Sequence, residues 1–292
     1  IRPRTTSLAA AVCDCARKQK VGSLGVESSD VTMALHEVLT TQLSATTIVG
    51  VSDVVEELRE IKDKSEIEAI RRAVRLAEKS IGVIRASLTA DQSELQIAAN
   101  IEHEIRRFGG VGCSFPPIVA VGPRAALPHA PPTNREVGES DFTLIDWGAR
   151  EQEQLYISDL TRVFVTGRIS PKLERVYGIV LKAQKNAIKA VRPGVSMGVV
   201  DAAARNTIHK AGFGKQFGHG LGHGIGLDVH EAPRLIDKEE RQLKPGMVIT
   251  IEPGIYLPGW GGVRIEDDIL VTKDGHEVLS SVPKELEDCV IG

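Results

Sequence analysis

The chain has 292 residues, of which 42% are hydrophobic and 26% are charged, and its formal net charge is -3. These values are ordinary for a soluble globular protein, and they argue against nucleic acid or an anionic membrane surface as the main partner. The length suffices for one large domain and part of another. No apolar run approaches the roughly 18 residues that a membrane-spanning helix needs, so we expect no membrane partner.

The four cysteines, Cys13, Cys15, Cys113 and Cys289, are few and scattered. A disulfide framework is therefore not expected, and we predict a reducing, cytoplasmic location. Cys13 and Cys15 could form half of a soft-metal site, but no second cysteine pair accompanies them. The chain opens with Ile1 and not with Met, which leaves open whether residues precede it.

The first 60 residues show short mixed elements, with a predicted strand over 20–26 and a predicted helix over 33–43. A stretch of about 60 residues is small for an independent domain. We therefore interpret residues 1–60 as a partial or auxiliary module and residues 61–292 as the main domain.

Residues 65–165 predict two helices followed by strands. Ser65 and Glu68 have the spacing of a capping box, in which a hydroxyl and a carboxylate bind the first backbone N–H groups of a helix. The apolar positions that follow recur at helical spacing: Ile67, Ile70, Val74, Ala77, Ile81 and Ile84. A second helix should run from Asp91 to Arg107. Strands are predicted over 118–121, 142–147 and 156–165.

Residues 170–271 repeat this order. Ser170 and Pro171 begin a long helix, with proline at the first helical position, and Ser196 begins a shorter one. Strands return over 247–252 and 263–271. The repeat is one of pattern, and a cleft between two half-domains is a natural place for a binding site.

Four acidic residues interrupt the apolar strands of both halves: Asp146, Asp159, Glu252 and Glu266. Each alone has an ordinary interpretation, since a strand-end acid often caps a turn, and the last strand could place Arg264, Glu266 and Asp268 on a solvated face. Together they need one explanation, because buried carboxylates without cations take up protons. Arg162 and Arg264 are too few to neutralise them, whereas two divalent cations would do so.

A glycine-rich segment, residues 218–230, carries His219, His223 and His230. His219 and His223 have the spacing of a helical zinc motif, but the alternating glycines oppose a helix there. The segment also lacks the G-x-G-x-x-G pattern of a dinucleotide loop. A glycine-lined loop lets the backbone approach a ligand and present imidazoles, and His129 could join them. With His223 as a nitrogen donor, the acids make an oxygen-rich cage for a pair of divalent cations.

From about residue 57 to its end, the chain resembles the pita-bread-fold metallopeptidases, which include methionine aminopeptidase, Xaa-Pro aminopeptidase and prolidase, together with the metal-free creatinase. The motifs occur in the family's order: Ile61–Ile67, Ile-Asp-Trp-Gly148, Ser-Asp-Leu-Thr-Arg162, Gly-His-Gly-Ile-Gly-Leu-Asp-Val-His-Glu231, Ile-Glu-Pro-Gly254 and Arg-Ile-Glu-Asp267. The resemblance implies an α+β pita-bread fold with a pseudo-two-fold repeat of helices and antiparallel strands. The upstream residues resemble the end of the N-terminal creatinase-like α/β domain that prolidases and aminopeptidases P carry.

Residue by residue, the resemblance implies that the metal ligands are Asp146, Asp159, His223, Glu252 and Glu266. It implies two divalent metal ions, Mn²⁺ or Co²⁺, with Zn²⁺ or Fe²⁺ as alternatives. The implied catalytic groups are His129, His230 and Glu252. The implied substrate-binding groups are His219, His129 and Arg264.

The sequence departs from the family at one place. Asp146 and Asp159 lie two residues further apart than is usual, and the surplus is in the polar run 150–154, a predicted hairpin turn. An even insertion preserves the face to which each strand residue points, so both carboxylates can still converge.

The resemblance implies an exopeptidase that hydrolyses the N-terminal peptide bond of Xaa-Pro peptides, as a dipeptidase or as an aminopeptidase. Its partner would be the peptide substrate, and a homodimer is left open. A methionine aminopeptidase is the alternative, disfavoured by the 60 residues upstream. A non-catalytic binding protein on the same fold, or a creatinase-like activity, is disfavoured because all five ligands are present.

Overall fold

The computed structural model describes residues 6–291. Its helices are α1 (Leu8–Lys18), α2 (Met33–Gln42), α3 (Val54–Arg59), α4 (Lys64–Ser87), α5 (Glu94–Arg107), α6 (Pro171–Ala190) and α7 (Met197–Lys210). Its strands are β1 (Ser23–Glu27), β2 (Thr47–Val51), β3 (Gly112–Cys113), β4 (Ile118–Val121), β5 (Phe142–Trp147), β6 (Ala149–Arg150), β7 (Leu160–Val165), β8 (Gly222–Gly224), β9 (Glu231–Leu235), β10 (Val248–Ile251), β11 (Gly254–Leu257), β12 (Gly261–Arg264), β13 (Asp267–Val271) and β14 (His276–Val278). Within these residues, no helix combines the length and the apolarity that crossing a membrane requires.

The chain divides into two compact units, Ile1–Leu58 and Arg59–Gly292. In the first unit, β1 and β2 form a parallel pair. Its buried core consists of Cys13, Ala16, Leu39 and Leu43, which come from α1, from α2 and from the residue after α2. Both elements that the sequence predicts in this segment are present.

The second unit repeats one order of elements: a long helix, a shorter helix and then strands. α4 and α5 precede β3 to β7, and α6 and α7 precede β8 to β13, as the sequence pattern predicts. The first half contains the antiparallel sheet β4–β5–β7, and the second contains the antiparallel sheet β14–β13–β10–β8–β9. The apolar faces of α6 and α7 share one core with residues of both sheets.

The predicted capping box at Ser65 and Glu68 is wrong. Asp63 is the N-cap of α4, and its carboxylate accepts hydrogen bonds from the backbone N–H groups of Ser65 and Glu66 at 2.7 and 2.9 Å. The carboxylate of Glu66 in turn accepts from the N–H of Asp63 at 2.7 Å. An acidic cap placed before Ser65 therefore captures the first N–H groups of the helix.

Other helix starts follow from the same chemistry. Ser170 caps α6, and Pro171 occupies its first turn, as predicted. α5 begins after Ser93 and not at Asp91, because the Ser93 hydroxyl accepts from the N–H of Gln96 and completes a capping box.

The predicted strand over 263–271 is two strands. β12 ends at Arg264 and pairs with β11, whereas β13 begins at Asp267 and pairs with β10. Glu266 lies in the break and forms an isolated bridge with Thr161 of β7. Arg264, Glu266 and Asp268 are buried, so the alternative of a solvated face is wrong.

Candidate metal centre

One cavity of about 730 Å³ brings together the residues that the sequence singles out. Its walls include every predicted metal ligand: Asp146, Asp159, His223, Glu252 and Glu266. They also include the other predicted site residues: His129, His219, His230 and Arg264. The first two ligands belong to the first half of the second unit, and the other three belong to its second half.

Asp146 and Asp159 come from the β5–β7 hairpin. Asp146 pairs with Thr161 across the two strands, and Asp159 directly precedes β7. In the lengthened turn, the backbone N–H groups of Glu153 and Gln154 donate to the carboxylate of Glu151 at 2.9 and 2.6 Å. The two extra residues are therefore absorbed by the turn, and both aspartates line the cavity.

His223 lies in β8, where its backbone N–H donates to the Thr250 hydroxyl at 3.1 Å. Its Nδ1 is 3.1 Å from the carbonyl oxygen of Gly224. A carbonyl oxygen can only accept, so Nδ1 carries the ring proton and Nε2 presents a lone pair. That Nε2 is 3.4 Å from Oε1 of Glu252 and 3.8 Å from Oδ2 of Asp159.

Glu266 is held at the break between β12 and β13. Its Oε2 accepts a hydrogen bond from the Thr161 hydroxyl at 2.6 Å, and its N–H donates to the Thr161 carbonyl at 3.2 Å. Asp159 is held by a residue that the sequence analysis left outside the site, because its backbone N–H donates to Oδ2 of Asp268 at 3.0 Å. Contacts between the halves thus fix two of the predicted ligands.

Burial and mutual repulsion raise the pKa values of Asp159, Glu252 and Glu266. The pKa of Asp159 and the pKa of Glu266 lie well above their usual ranges, first because of burial and then because of neighbouring carboxylates. Burial raises the pKa of Glu252 to about 8, although Arg264 opposes the rise. Burial, and then the charge of His230, lower the pKa of His223 to about 4. The imidazole is therefore neutral near pH 7, and Asp159, Glu252 and Glu266 favour their protonated forms unless a cation replaces the protons.

This donor set fits divalent cations. The lone pair of His223 faces two carboxylates, an arrangement that is repulsive unless a proton or a cation lies between them. One ligand atom each from Asp159, His223 and Glu266 lies within 4.8 Å of the others, which suits one cation. Oδ1 of Asp146 is buried and has no hydrogen-bond partner among residues 6–291, which suits a second.

Arg264 connects the acids to a tyrosine that sequence reasoning missed. Its guanidinium donates to Oδ2 of Asp146 at 2.5 Å, to the Thr161 hydroxyl at 3.1 Å and to the Tyr256 hydroxyl at 3.0 Å. The Tyr256 hydroxyl is also 2.9 Å from Nε2 of His219. His219 Nδ1 lies 2.7 Å from the Gly220 carbonyl, so Nε2 accepts and the tyrosine donates. Burial lowers the pKa of His219 to about 4, and the ring is neutral.

The rest of the cavity lining combines exposed polar groups with apolar side chains. His129 and His230 are exposed, and the His230 ring meets the His223 ring edge-on at 4.5 Å between centroids. Arg234, which the sequence analysis did not single out, is an exposed cation in the same cavity. The apolar lining is Phe115, Pro116, Pro117, Ile118, Pro128, Pro131, Pro132, Val229 and Ile236. In the part of the chain that the structure describes, Arg234 forms no ion pair with an acidic residue.

Known proteins share this chain's sequence and architecture. An Xaa-Pro dipeptidase of Pyrococcus horikoshii is 41% identical over 266 residues, which cover 91% of this chain and 75% of that protein. The structure of an Xaa-Pro dipeptidase from Bacillus anthracis matches with a TM-score of 0.93 at 36% identity, over 98% of this chain and 79% of that one. The structure of an X-Pro aminopeptidase from Thermotoga maritima matches with a TM-score of 0.91 at 34% identity, over 97% of this chain and 80% of that one.

These likenesses confirm the pita-bread fold that the motifs predict, with its repeated order of helices and antiparallel strands. A model of metallopeptidase family M24 matches residues 68–273, a segment that contains every predicted metal ligand. The family resemblance seen in the sequence is thereby confirmed, and the chain belongs to metallopeptidase family M24.

Proposed function

We propose that this chain is an Xaa-Pro exopeptidase, which hydrolyses the N-terminal peptide bond of a peptide whose second residue is proline. One observation carries the proposal: four acids and a neutral imidazole converge in a single cavity beside an apolar wall. The family makes the chain a hydrolase, and relatives named Xaa-Pro dipeptidase support the substrate class.

The proposed ligands for two divalent cations are Asp146, Asp159, His223, Glu252 and Glu266. Carboxylate oxygens dominate this set, which favours Mn²⁺ or Co²⁺, with Zn²⁺ or Fe²⁺ as alternatives. Bound cations of this kind supply Lewis acidity, which polarises a carbonyl and lowers the pKa of water.

The chain's own residues supply the remaining chemistry. Glu252 can take up a proton on its carboxylate and pass it to the leaving nitrogen. The exposed imidazoles of His230 and His129 can donate hydrogen bonds to the oxyanion that forms on the scissile carbonyl. Arg264 acts through Asp146, which it holds in place, and His219 presents its ring to the substrate side of the cavity.

Arg234 favours a dipeptide over a longer substrate. In a dipeptide, the carboxylate belongs to the proline, whose ring is apolar. The cavity offers both an apolar wall and, in Arg234, an exposed guanidinium near His223 and His230. A guanidinium binds a carboxylate through paired hydrogen bonds.

The test is purified protein loaded with Mn²⁺ and assayed on an Xaa-Pro dipeptide, a longer Xaa-Pro peptide and a Met-Ala peptide. We expect release of the first residue from the dipeptide above all. Faster cleavage of Met-Ala would indicate a methionine aminopeptidase, and binding without cleavage of any peptide would indicate a non-catalytic protein. Glu252→Ala or His223→Ala with two bound ions and full activity would disprove the ligand assignment.

The Arg234→Ala variant tests the choice between substrates. We expect kcat/KM on the dipeptide to fall about 10- to 100-fold, the worth of one hydrogen bond to a charged group, with little change on the longer peptide. Arg192→Ala, which removes an exposed arginine outside the cavity, is the matched control. Equal losses on both peptides would rule out recognition of the terminal carboxylate.

The domain assignment, location and assembly also remain proposals. We assign residues 1–60 to a partial N-terminal domain of the creatinase type and residues 61–292 to the catalytic domain, supported by the parallel pair β1–β2 upstream. We propose a cytoplasmic location, supported by the free thiols of all four cysteines. A homodimer stays open to measurement in solution.

A further inference from the structure

A cluster of opposite charges lies next to the loop that carries His230. Oε1 of Glu231 accepts a hydrogen bond from Nε of Arg59 at 3.1 Å, and Nη2 of Arg59 contacts the same carboxylate. Oε2 of Glu231 accepts from Nζ of Lys62 at 3.1 Å. Nη2 of Arg59 also reaches Oδ2 of Asp228 at 2.7 Å. Two cations therefore meet at one carboxylate, that of the residue following His230.

The same carboxylate organises the loop backbone. Oε1 of Glu231 accepts from the N–H groups of Leu227 and Asp228 at 2.8 and 3.1 Å. Gly226 packs so closely that a Cβ there would lie 2.5 Å from Oε2 of Glu231. Residues 226–231 thus wrap around one side chain. Because His230 adjoins Glu231, and its ring leans on the ring of His223, the path of this loop sets the position of the His230 imidazole.

The cationic side of the cluster is linked to the end of β13 through the backbone of Gly246. Only 1% of the Lys62 side chain is exposed, and its backbone N–H donates to the carbonyl of Gly246 at 2.9 Å. The N–H of Gly246 donates in turn to the carbonyl of Val271, at the end of β13. A buried ammonium is costly to desolvate, and hydrophobic residues would stabilise a fold as well or better. What the charged groups contribute here is geometry, because their directional hydrogen bonds fix the Glu231 carboxylate.

We propose that Arg59, Lys62 and Glu231 form a positioning device for His230, which holds the loop 226–231 so that the imidazole meets the oxyanion. The proposal rests on the function proposed above, in which His230 donates that hydrogen bond. None of these three residues lines the cavity. They act through the backbone of the loop.

The test compares Glu231→Gln and Lys62→Met with wild type, all loaded with Mn²⁺. We expect kcat on the Xaa-Pro dipeptide to fall about tenfold or more, with KM and the number of bound ions little changed, because misplacement of a catalytic group costs rate and not binding. Lys62→Arg, which keeps the charge, should recover most of the rate. Glu277→Gln is the matched control, since it breaks the ion pair of Arg71 and Glu277, outside the cavity.

Hydrogen exchange separates this proposal from the proposed function. In Glu231→Gln, the amides of Leu227 and Asp228 should exchange about tenfold faster, while the amides of β10 keep their protection. An inactive wild type would disprove the peptidase function. In that case, exchange of the Leu227 and Asp228 amides in Glu231→Gln as slow as in wild type would also disprove the role of Glu231. Full kcat in a folded, metal-loaded Glu231→Gln would equally overturn the proposal, as would the same loss of kcat in Glu277→Gln.

Discussion

At the scale of residues, a chain of hydrogen bonds links His219, in the wall of the cavity, to Asp146, a proposed metal ligand. It runs from His219 through the Tyr256 hydroxyl to Arg264 and on to Asp146. Each member is held by the next, so Asp146 cannot turn away without leaving the buried guanidinium of Arg264 short of a partner. The chain thereby keeps one oxygen of Asp146 directed to Arg264 and leaves Oδ1 for a cation.

Tyr256→Phe tests this chain, since it removes the hydroxyl and keeps the ring. We expect the metal-free protein to lose about 1–3 kcal/mol of unfolding free energy, because the buried Arg264 and the half-buried His219 each lose a hydrogen-bond partner. One of the two cations should bind about 10- to 100-fold more weakly, because a group supporting its ligand is gone. Urea denaturation and Mn²⁺ titration measure the two effects.

Tyr156→Phe is the matched control, since its hydroxyl bonds Glu66 and neither residue lines the cavity. It should cost stability without changing cation affinity. Unchanged cation affinity in Tyr256→Phe would contradict the role assigned to the chain.

The acids were predictable from sequence because each interrupts an apolar strand, where a carboxylate is costly without a cation. Tyr256 was not, because a tyrosine between Ile255 and Leu257 has the pattern of an ordinary core residue. Its role depends on a fold-level detail: the ring lies over Gly254, whose missing side chain leaves room for the hydroxyl to reach Arg264. Spacing along the chain carries no signal for that contact.

At the scale of elements, the lengthened turn between β5 and β7 is held together by hydrogen bonds to one carboxylate. The Glu151 carboxylate, only 3% exposed as a side chain, gathers the N–H groups of Glu153, Gln154 and Tyr156. These bonds lower the pKa of Glu151 against the opposing effect of its burial. The turn is therefore built around an anion, and it fixes the segment that leads to Asp159.

Glu151→Ala should destabilise the protein by about 1–3 kcal/mol, because three backbone N–H groups lose their common acceptor. Since the turn leads to Asp159, we also expect weaker Mn²⁺ binding. Glu153→Ala is the control: it shares the Arg72 contact, but its side chain is 74% exposed, so the stability should change by less than about 1 kcal/mol. Denaturation midpoints measure the change in stability, and Mn²⁺ titrations measure the change in cation binding. Equal effects of the two variants would contradict an anion-centred turn.

Elements with a clear period were predictable, and their junctions were not. The spacing of Ile70, Val74 and Ala77 predicted α4 correctly, because one buried face needs that period. The break between β12 and β13 left no signal, because apolar and charged residues alternate without interruption from Val263 to Glu266. It arises from tertiary pairing: Arg264 belongs to the β11 hairpin, whereas Asp267 pairs with Ile251 of β10.

At the scale of the whole molecule, the stability of the metal-free fold depends on the protons held by the acids at the junction of the two halves. Without cations, the raised pKa values of Asp159, Glu252 and Glu266 mean that the folded state binds protons which the unfolded state releases. Stability contributed in this way is lost as pH rises from the unfolded pKa through the folded one. The lowered pKa values of His219 and His223 act in the opposite direction, but only below their ordinary value of 6.5.

We therefore expect the metal-free protein to lose stability between about pH 6.5 and pH 8, by about 1–2 kcal/mol for each proton that it retains. Cations remove these protons, so saturation with Mn²⁺ should abolish the loss and raise the melting temperature. Thermal denaturation in chelator and in Mn²⁺ across this range measures both. Glu252→Gln, which cannot titrate, should flatten the metal-free curve. A metal-free protein that gains stability over this range would contradict the assignment.

The division of ligands between the halves has a consequence for dissection of the enzyme. A nick in the connection 166–170, between β7 and α6, would leave Asp146 and Asp159 on one fragment and the imidazole with both glutamates on the other. Neither piece alone holds a complete donor set. Reassembly of the two pieces should consequently depend on the concentration of divalent cation, because the cation would bind ligands from both.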